Sequence, residues 1–272
     1  MTAPAFDTHC HLQDSRLLAD LDGVLARAEQ ERVLGMALCG YDAPSNTLVL
    51  ELAERSPALF PTVGFHPHEA DDVTPGMLAE LDALARLPQV VAIGEIGLDN
   101  YRHHSTAANQ RRLLDAQLEI ALRVRKPACV HSRMAEDEIS GNLAPFAAAA
   151  RAQGMAVPGV MHCFGGTLEQ ALRYVELGFV ISIAAPITYP KNEESRRLAR
   201  GLPAGSLVIE TDSPYLPPQP MRGKLNEPSL VLHTARAIAA ARGESPGQVL
   251  EYTTANAERL FGVRVAETAG SR

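Results

Sequence analysis

Short apolar segments recur along the chain, and amphipathic stretches separate them. Each apolar segment has the length of a strand, and its nearly continuous hydrophobicity is typical of a strand buried on both faces. The amphipathic stretches carry apolar residues at helical spacing, as at residues 17–31, 75–87, 109–125 and 168–177. The first strand candidate leads through residues 4–6 into residues 7–12, and the others are residues 35–41, 60–67, 90–97, 127–132, 159–164, 179–185 and 207–214.

Eight strand–helix units in a chain of 272 residues predict an α/β fold, the (β/α)8 TIM barrel. A doubly wound open sheet is the alternative, but no glycine-rich phosphate loop follows any strand candidate. We expect one barrel domain over residues 1–262 and a flexible C-terminal tail over residues 263–272.

Composition and charge argue against several kinds of binding partner and cellular environment. The formal net charge is −7 and the pI is about 5.7, which argues against broad electrostatic binding to duplex nucleic acid. No apolar run approaches the about 20 residues of a membrane span, and the N-terminus lacks the pattern of a secretion signal. The four cysteines form no C-x-x-C pair, so we expect buried thiols rather than disulfides or a thiolate zinc site. These features predict a cytoplasmic protein with no membrane association and no obligate protein partner.

The segment from Asp7 to His11 places two histidines, His9 and His11, two residues apart on the first strand. Alternate side chains of a strand share a face, so both imidazoles point the same way. Two adjacent imidazoles form half of a divalent metal site, with Asp7 as a candidate partner for one ring nitrogen. A surface pair, or two hydrogen-bonded core histidines, would give the same short pattern.

Polar residues also occur late in five other strand candidates, where side chains point toward the C-terminal mouth of a barrel. Several strand ends together build the active site in this fold, so the set predicts a metal centre at the mouth. These residues are His66, Glu95, His131, His162 and Asp212.

Two metals held close together need a bridging anion to screen their like charges. In some barrels of this type a carboxylated lysine is the bridge. None of the three lysines here ends an early strand candidate, so Glu95 is the predicted bridge. Asp212 is predicted to ligate a metal and to accept a proton from the attacking water, which makes Asp212 and Glu95 the predicted catalytic residues. We assign His9, His11, Glu95 and Asp212 to the first metal, and Glu95, His131 and His162 to the second.

A series of motifs surrounds these residues in a fixed order. They are DTHCHL at residues 7–12, GFHPH at 64–68, GEIGLD at 94–99, HSR at 131–133, HCFGG at 162–166, ETDSPYL at 210–216, RG-x-x-NEP at 222–228 and NAERLF at 256–261. From residue 6 to about residue 261, the chain resembles the TatD family of metal-dependent deoxyribonucleases in the amidohydrolase superfamily.

The resemblance implies a TIM barrel of the metal-dependent hydrolase type with a binuclear centre built from the ligands named above. It further implies hydrolysis of phosphodiester bonds at the end of single-stranded DNA or RNA, commonly as a 3′→5′ exonuclease. The implied cofactors are two divalent ions, Mg²⁺ or Mn²⁺, although a histidine-rich ligand set would also suit Zn²⁺.

Two single residues and one short segment depart from the family pattern. Gln13 stands where the family usually has Asp, and Met134 stands where an Asp usually follows the His-Ser-Arg motif. The segment from Asn100 to Arg102 replaces an aromatic–His–Arg run. Every ligand position is intact, so the departures bear on substrate preference rather than on activity.

Recognition of phosphate needs positive charge or oriented donors. The candidates beyond the strand ends are His66, Arg102, Arg133, Arg222 and Lys224, and Tyr101, Tyr189 and Tyr215 could stack a base. This set predicts a pocket that grips a strand end through a few phosphates.

Other functions remain open at this point. The same barrel could serve a small-molecule amidohydrolase or lactonase, and some relatives resemble deacylases that release D-amino acids from tRNA. The acidic net charge favours a small substrate, whereas the motifs favour nucleic acid. A non-catalytic binding protein is a further alternative, and the complete ligand set argues against it.

Overall fold

The computed structural model describes residues 3–265, in which eight parallel strands form one sheet in the order of the sequence. Consecutive strands pair in parallel because a helix returns the chain after each strand. The strands are β1 (Ala5–Cys10), β2 (Val33–Cys39), β3 (Leu59–Val63), β4 (Ala92–Asp99), β5 (Ala128–Arg133), β6 (Gly159–Met161), β7 (Val180–Ile183) and β8 (Leu207–Ile209).

The sheet closes into a barrel where β1 lies against β8 and the residues that follow β8. The backbone N–H of Asp212 donates to the carbonyl of His9 at 2.9 Å, and the N–H of His11 donates to the carbonyl of Ser213 at 2.8 Å. Deeper in the barrel, the Thr8 hydroxyl donates to the carbonyl of Ile209 at 3.0 Å. Closure confirms the predicted (β/α)8 barrel and excludes the open doubly wound sheet.

Helices surround the barrel, and short polar side chains cap several of them. Thr74, Thr106, Thr167 and Ser245 each accept a backbone N–H from the first turn of the helix that follows, which satisfies an otherwise unpaired donor. The helices are α1 (Ser15–Leu18), α2 (Leu21–Gln30), α3 (Ala43–Ala53), α4 (Pro75–Ala85), α5 (Ala107–Val124), α6 (Ser140–Ala152), α7 (Leu168–Glu176), α8 (Glu193–Gly201), α9 (Val231–Arg242) and α10 (Pro246–Phe261).

Some predicted boundaries were wrong. The stretch 17–31 is divided into α1 and α2, which are separated by Ala19 and Asp20. The strands β3, β6 and β8 end at residues 63, 161 and 209, before the predicted ends at 67, 164 and 214. Beyond these ends the backbone leaves the regular strand conformation, and polar side chains point into the mouth. Cys163 and Asp212 adopt left-handed φ angles of 43° and 54° there.

The segment after α10 returns to that helix. Val263 donates its N–H to the carbonyl of Glu258 at 3.1 Å, and Val265 donates to the Glu258 carboxylate at 2.9 Å. The remainder of the predicted tail, residues 266–272, lies outside the described residues. Among residues 3–265, no helix is both long and apolar enough to cross a membrane.

Candidate metal centre

The two histidines of the first motif lie at the mouth of the barrel, at the end of β1. His9 lies within the strand, and His11 is the first residue after it. Both side chains point the same way, as predicted, and their Nε2 atoms are 3.1 Å apart. The Asp212 Oδ1 atom lies 4.0 Å from the Nε2 of His9 and 3.6 Å from the Nε2 of His11. These three side chains therefore form one potential ligand group.

Glu95 lies in β4, between two pairs of histidines. Its Oε2 is 3.4 Å from the Nε2 of His9 and 3.8 Å from the Nε2 of His11. Its Oε1 is 2.9 Å from the Nδ1 of His131 and 3.3 Å from the Nε2 of His162. One carboxylate oxygen thus faces each pair, which is the arrangement that a bridging ligand requires.

The remote ring nitrogens of His9 and His11 have buried partners near β2 and β5. The Nδ1 of His11 lies 3.0 Å from the carbonyl of Cys39, so that nitrogen carries the proton and Nε2 keeps its lone pair. The Nδ1 of His9 lies 3.3 Å from the thiol of Cys39 and 3.4 Å from the thiol of Cys129. Such partners fix the orientation and tautomer of a metal-binding histidine.

Acidic residues outside the predicted ligand set hold the other two histidines. The Nδ1 of His162 lies 3.0 Å from the Oε1 of Glu210, which is fully buried. The Nε2 of His131 lies 3.5 Å from the Oδ2 of Asp99, and the same oxygen lies 2.9 Å from a nitrogen of His68. Glu210 therefore positions the His162 ring through a hydrogen bond, and Asp99 places a negative charge behind the His131 ring, while the other nitrogen of each ring faces Glu95.

Sequence reasoning did not identify Glu210 and Asp99 as partners of the ligands, or His68 as a partner of Asp99. Each belongs to a quoted motif, so a search of those motifs for a second acid or base beside each ligand could have found them. Asp7 was assigned wrongly as a partner for a ring nitrogen. Its buried carboxylate accepts the N–H of Thr211 at 2.8 Å and the backbone N–H of His9 at 3.3 Å. Burial raises the pKa of Asp7 to about 8, against the lowering effect of the bonds from Thr211.

Ionisation in the cluster follows from burial among opposite charges. Burial opposes ionisation of Glu95, but the positive charge of His162 and the hydrogen bonds from His131 and His162 hold its pKa well below the ordinary value. Burial also opposes ionisation of Asp212, but the positive charge of the nearby His162 and His9 lowers its pKa. Both carboxylates are therefore anionic at neutral pH.

The protonation of the histidines shows that the cluster suits a cation. Burial disfavours the charged form of His162, yet Glu210 and Glu95 raise its pKa well above the ordinary value. Burial likewise opposes the charging of His131, and Asp99 and Glu95 raise its pKa. The space between these nitrogens and oxygens therefore favours positive charge.

The donor set itself fits divalent metal ions. Two Nε2 atoms only 3.1 Å apart cannot both present lone pairs to each other without a proton or a cation between them. Imidazole nitrogens and carboxylate oxygens together suit Zn²⁺ and Mn²⁺, and carboxylates also suit Mg²⁺. The residues present therefore fit the metal dependence that the sequence predicted.

His66 lies beside the cluster, beyond the end of β3. Its Nε2 is 3.5 Å from the Oε1 of Glu95, and its Nδ1 accepts the backbone N–H of His68 at 3.1 Å. Burial lowers the pKa of His66 well below its ordinary value, so the ring is neutral and its single proton resides on Nε2. His66 therefore presents an N–H donor, rather than a lone pair, to the centre.

The other predicted substrate residues lie on the surface of the mouth. The guanidinium carbon of Arg133 is 4.1 Å from the centroid of the Tyr101 ring, and that of Arg102 is 5.9 Å from it. The guanidinium carbon of Arg222 is 5.0 Å from the ring centroid of Tyr189. Arg102, Arg133 and Arg222 are exposed, and so is Lys224 in the long loop after β8.

Four histidines and two carboxylates converge at the C-terminal mouth of a (β/α)8 barrel, and this combination defines a metal-dependent hydrolase. Residues 6–262 match the model of the family described as TatD related DNase. The chain therefore belongs to the TatD-related DNase family, as its motifs indicated.

Individual relatives match over nearly their whole length. The chain is 37% identical to the 3′-5′ ssDNA/RNA exonuclease TatD of Salmonella typhimurium over 95% of this chain and 99% of the relative. It is 35% identical to the uncharacterized metal-dependent hydrolase YabD of Bacillus subtilis, over 94% of this chain and 98% of the relative. The crystal structure of YjjV, a TatD homologue from Escherichia coli, matches with a TM-score of 0.90 and 32% identity, covering 97% of this chain and 100% of that one.

Proposed function

We propose that this protein is a 3′→5′ exonuclease that removes nucleotides from the end of single-stranded DNA and RNA. The observation that carries the proposal is the position of Glu95, with one oxygen toward His9 and His11 and the other toward His131 and His162. A binuclear centre of this kind suits in-line displacement at phosphorus. The relative from Salmonella typhimurium whose name states this activity supports the choice of substrate.

Two divalent ions, Mg²⁺ or Mn²⁺ with Zn²⁺ as the alternative, would be held by the residues that the sequence selected. His9, His11, Glu95 and Asp212 would hold the first, and Glu95, His131 and His162 would hold the second. When bound, such ions lower the pKa of an attacking water and stabilise negative charge on the phosphate. Glu210, Asp99 and the carbonyl of Cys39 would keep the ligand nitrogens in place.

Asp212 would accept the proton of the attacking water. Its lowered pKa keeps the carboxylate ionised, and its side chain is 16% exposed at the mouth, where water and substrate enter. The N–H donor of His66 would contact a phosphate oxygen on the opposite side of Glu95. Arg102, Arg133, Arg222 and Lys224 would grip the phosphates farther from the centre.

The sparse positive charge around the mouth favours a strand end over a long groove. For single strands, log K falls against log salt with a slope of about −0.7 per phosphate neutralised, so a few contacts give a slope of roughly −1 to −3. We further propose a cytoplasmic location without an obligate protein partner, since all four cysteines are free thiols.

Degradation of a linear strand and of a closed circle of the same sequence tests the proposal. The linear strand carries a label at its 5′ end, and each reaction contains Mg²⁺, Mn²⁺ or Zn²⁺. We expect the linear strand to shorten stepwise from the 3′ end, while the circle persists. An Asp212→Asn variant prepared in parallel reports any contaminating nuclease.

Rapid cutting of the circle would contradict exonuclease action. The net charge of −7 favours a second candidate, hydrolysis of a small ester or amide by the same centre. Cleavage of a model lactone or of an aminoacyl ester, without any action on either strand, would support that candidate.

A further inference from the structure

Exposed large apolar side chains concentrate at the mouth of the barrel. Among residues 3–265 they are Tyr101, Met134, Tyr215 and Leu225, which are 54%, 68%, 50% and 41% exposed. All four lie in loops that follow β4, β5 or β8, on the same end of the barrel as the metal centre. All four side chains therefore border the entrance to the metal centre, where a substrate would meet them.

The two exposed tyrosines lie on opposite sides of the mouth. Tyr101 follows β4 and Tyr215 follows β8, and these strands are four positions apart in an eight-stranded closed sheet. The centre built on Glu95 and Asp212 lies between them. A ligand that reaches both rings must therefore cross the centre.

Short links connect each tyrosine to the metal centre. The backbone N–H of Tyr215 donates to the carbonyl of Asp212 at 2.9 Å, and the Tyr215 ring centroid is 6.2 Å from that of His11. The backbone N–H of Tyr101 donates to Asp99 at 2.8 Å, and Asp99 in turn lies 3.5 Å from His131. The Tyr215 ring therefore lies beside His11, and the Tyr101 backbone is linked through Asp99 to His131, in the other half of the centre.

An arginine lies over each exposed ring. The guanidinium carbon of Arg133 is 4.1 Å from the centroid of Tyr101, and that of Arg16 is 5.0 Å from the centroid of Tyr215. Asp14 holds Arg16 through two hydrogen bonds of 2.8 Å. Such cation–π contacts orient the rings and place positive charge next to a flat apolar surface. By contrast, Tyr189 is only partly exposed and its hydroxyl donates to the carbonyl of Pro217 at 3.0 Å.

A flat aromatic surface beside a guanidinium suits one component of the proposed substrate, an unpaired nucleotide. The base stacks on the ring, and the neighbouring phosphate meets the positive charge. A duplex would hide its base faces in the helical stack, and a small ester has no base to stack on either ring. The position of the two rings after β4 and β8 favours a flexible single strand with a base on each side of the scissile bond.

We propose that Tyr101 and Tyr215 are two base-stacking subsites, which hold the nucleotides on either side of the scissile phosphodiester. This inference rests on the proposed exonuclease function and specifies how that site selects its substrate. Met134, adjacent to Arg133, is 68% exposed and extends the apolar surface on the Tyr101 side. Stacking on a ring tolerates any base, so the enzyme selects unpaired bases rather than a sequence.

The test combines side-chain variants with substrates that lack single bases. Three 5′-labelled single strands are compared: one complete, one without the terminal base and one without the penultimate base, each with the sugar–phosphate backbone intact. The metal-loaded wild-type enzyme is compared with Tyr101→Leu and Tyr215→Leu, and Tyr101→Phe and Tyr215→Phe are the matched controls that keep the ring.

Each Leu variant should lose roughly 5- to 150-fold in kcat/KM on the complete strand, because stacking is lost at one base. The loss should disappear for one variant on the strand without the terminal base, and for the other variant on the strand without the penultimate base. The Phe variants should stay close to wild type. In a second measurement, removal of either base should weaken binding of the strand to the metal-free wild-type protein.

Equal losses on all three strands, or no loss on any, would overturn the stacking assignment while leaving the nuclease activity standing. If a Leu variant fails to fold, equal binding of the three strands by the wild type would still overturn it. A wild-type enzyme that cleaves none of the strands would overturn the proposed function itself, and the inference with it.

Discussion

The substitution Glu210→Gln tests whether a buried carboxylate behind the metal centre controls one ligand. Glu210 accepts the Nδ1–H of His162 at 3.0 Å, which leaves the Nε2 of His162 directed at Glu95. The Gln side chain keeps the shape and an acceptor oxygen but removes the charge. A hydrogen bond to a charged group contributes about 1.5–3 kcal/mol and a neutral one about 0.5–1.5 kcal/mol, so the substitution should cost about 1–1.5 kcal/mol.

That free energy corresponds to a metal affinity lower by about 5- to 13-fold at the site that contains His162. The second Glu210 oxygen has no hydrogen-bond partner among the described residues, so the new amide N–H group meets no acceptor there and adds to the loss. The total should stay within the 10- to 100-fold range that is typical of such supporting partners. Glu210→Ala, which removes the acceptor entirely, should lower the metal affinity more than Glu210→Gln does.

Calorimetric titration of Mn²⁺ into chelator-stripped protein measures both binding steps. Glu193→Gln is the control, because Glu193 is an exposed residue of α8 that pairs with Arg196 and Arg200 on the surface. We expect one weakened step in the Glu210 variants and two unchanged steps in the control. Unchanged affinity in Glu210→Ala would refute the orienting role. An equal loss at both steps would assign the effect to buried charge rather than to His162.

Three further predictions concern the ligands themselves. Glu95→Ala should abolish tight binding at both metal sites, whereas His131→Ala should weaken mainly one. Metal content after dialysis measures this, and two tightly held metals in Glu95→Ala would contradict bridging. Asp212→Asn should lower kcat far more than it changes KM, because the amide cannot accept a proton; near wild-type kcat with a weakened KM would contradict that role. Metal affinity should rise with pH, because the raised pKa values of His9 and His162 mean that a cation must displace protons. Calorimetric metal titrations in buffers of different ionisation enthalpy should report proton release, and a metal affinity that does not change with pH would contradict the prediction.

The barrel was predictable because its strands are buried on both faces and therefore appear in the sequence as continuous apolar segments. The strand ends were less predictable. Apolar character continues past Met161 into Cys163 and Phe164, although the chain has already turned and Cys163 has a φ of 43°. Hydrophobicity reports burial, whereas the end of a strand depends on where ladder hydrogen bonds stop.

The convergence of the predicted ligands followed from their shared position near the strand ends. The supporting contacts could not be predicted in this way, because they depend on the register between strands that are distant in sequence. The carbonyl of Cys39 on β2 meets His11, and Glu210 meets His162 across 48 positions of sequence. The role of His66 was likewise not predictable from the sequence. Its Nδ1 accepts the backbone N–H of His68, and only this bond shows that the ring proton lies on the Nε2 that faces the centre.

The acidic character of the chain is compatible with a nucleic-acid substrate if recognition depends on a few oriented groups rather than on a broad field. With a net charge of −7, the protein has little long-range attraction for phosphates. Arg133 and Arg16 instead lie against aromatic rings at the mouth, at 4.1 Å and 5.0 Å from their centroids. A weak overall field penalises duplexes, whose affinity depends mainly on their phosphates, whereas an unpaired strand end also offers its bases to the rings. The same charge distribution that argues against a general nucleic-acid binder therefore favours selection for single-stranded ends.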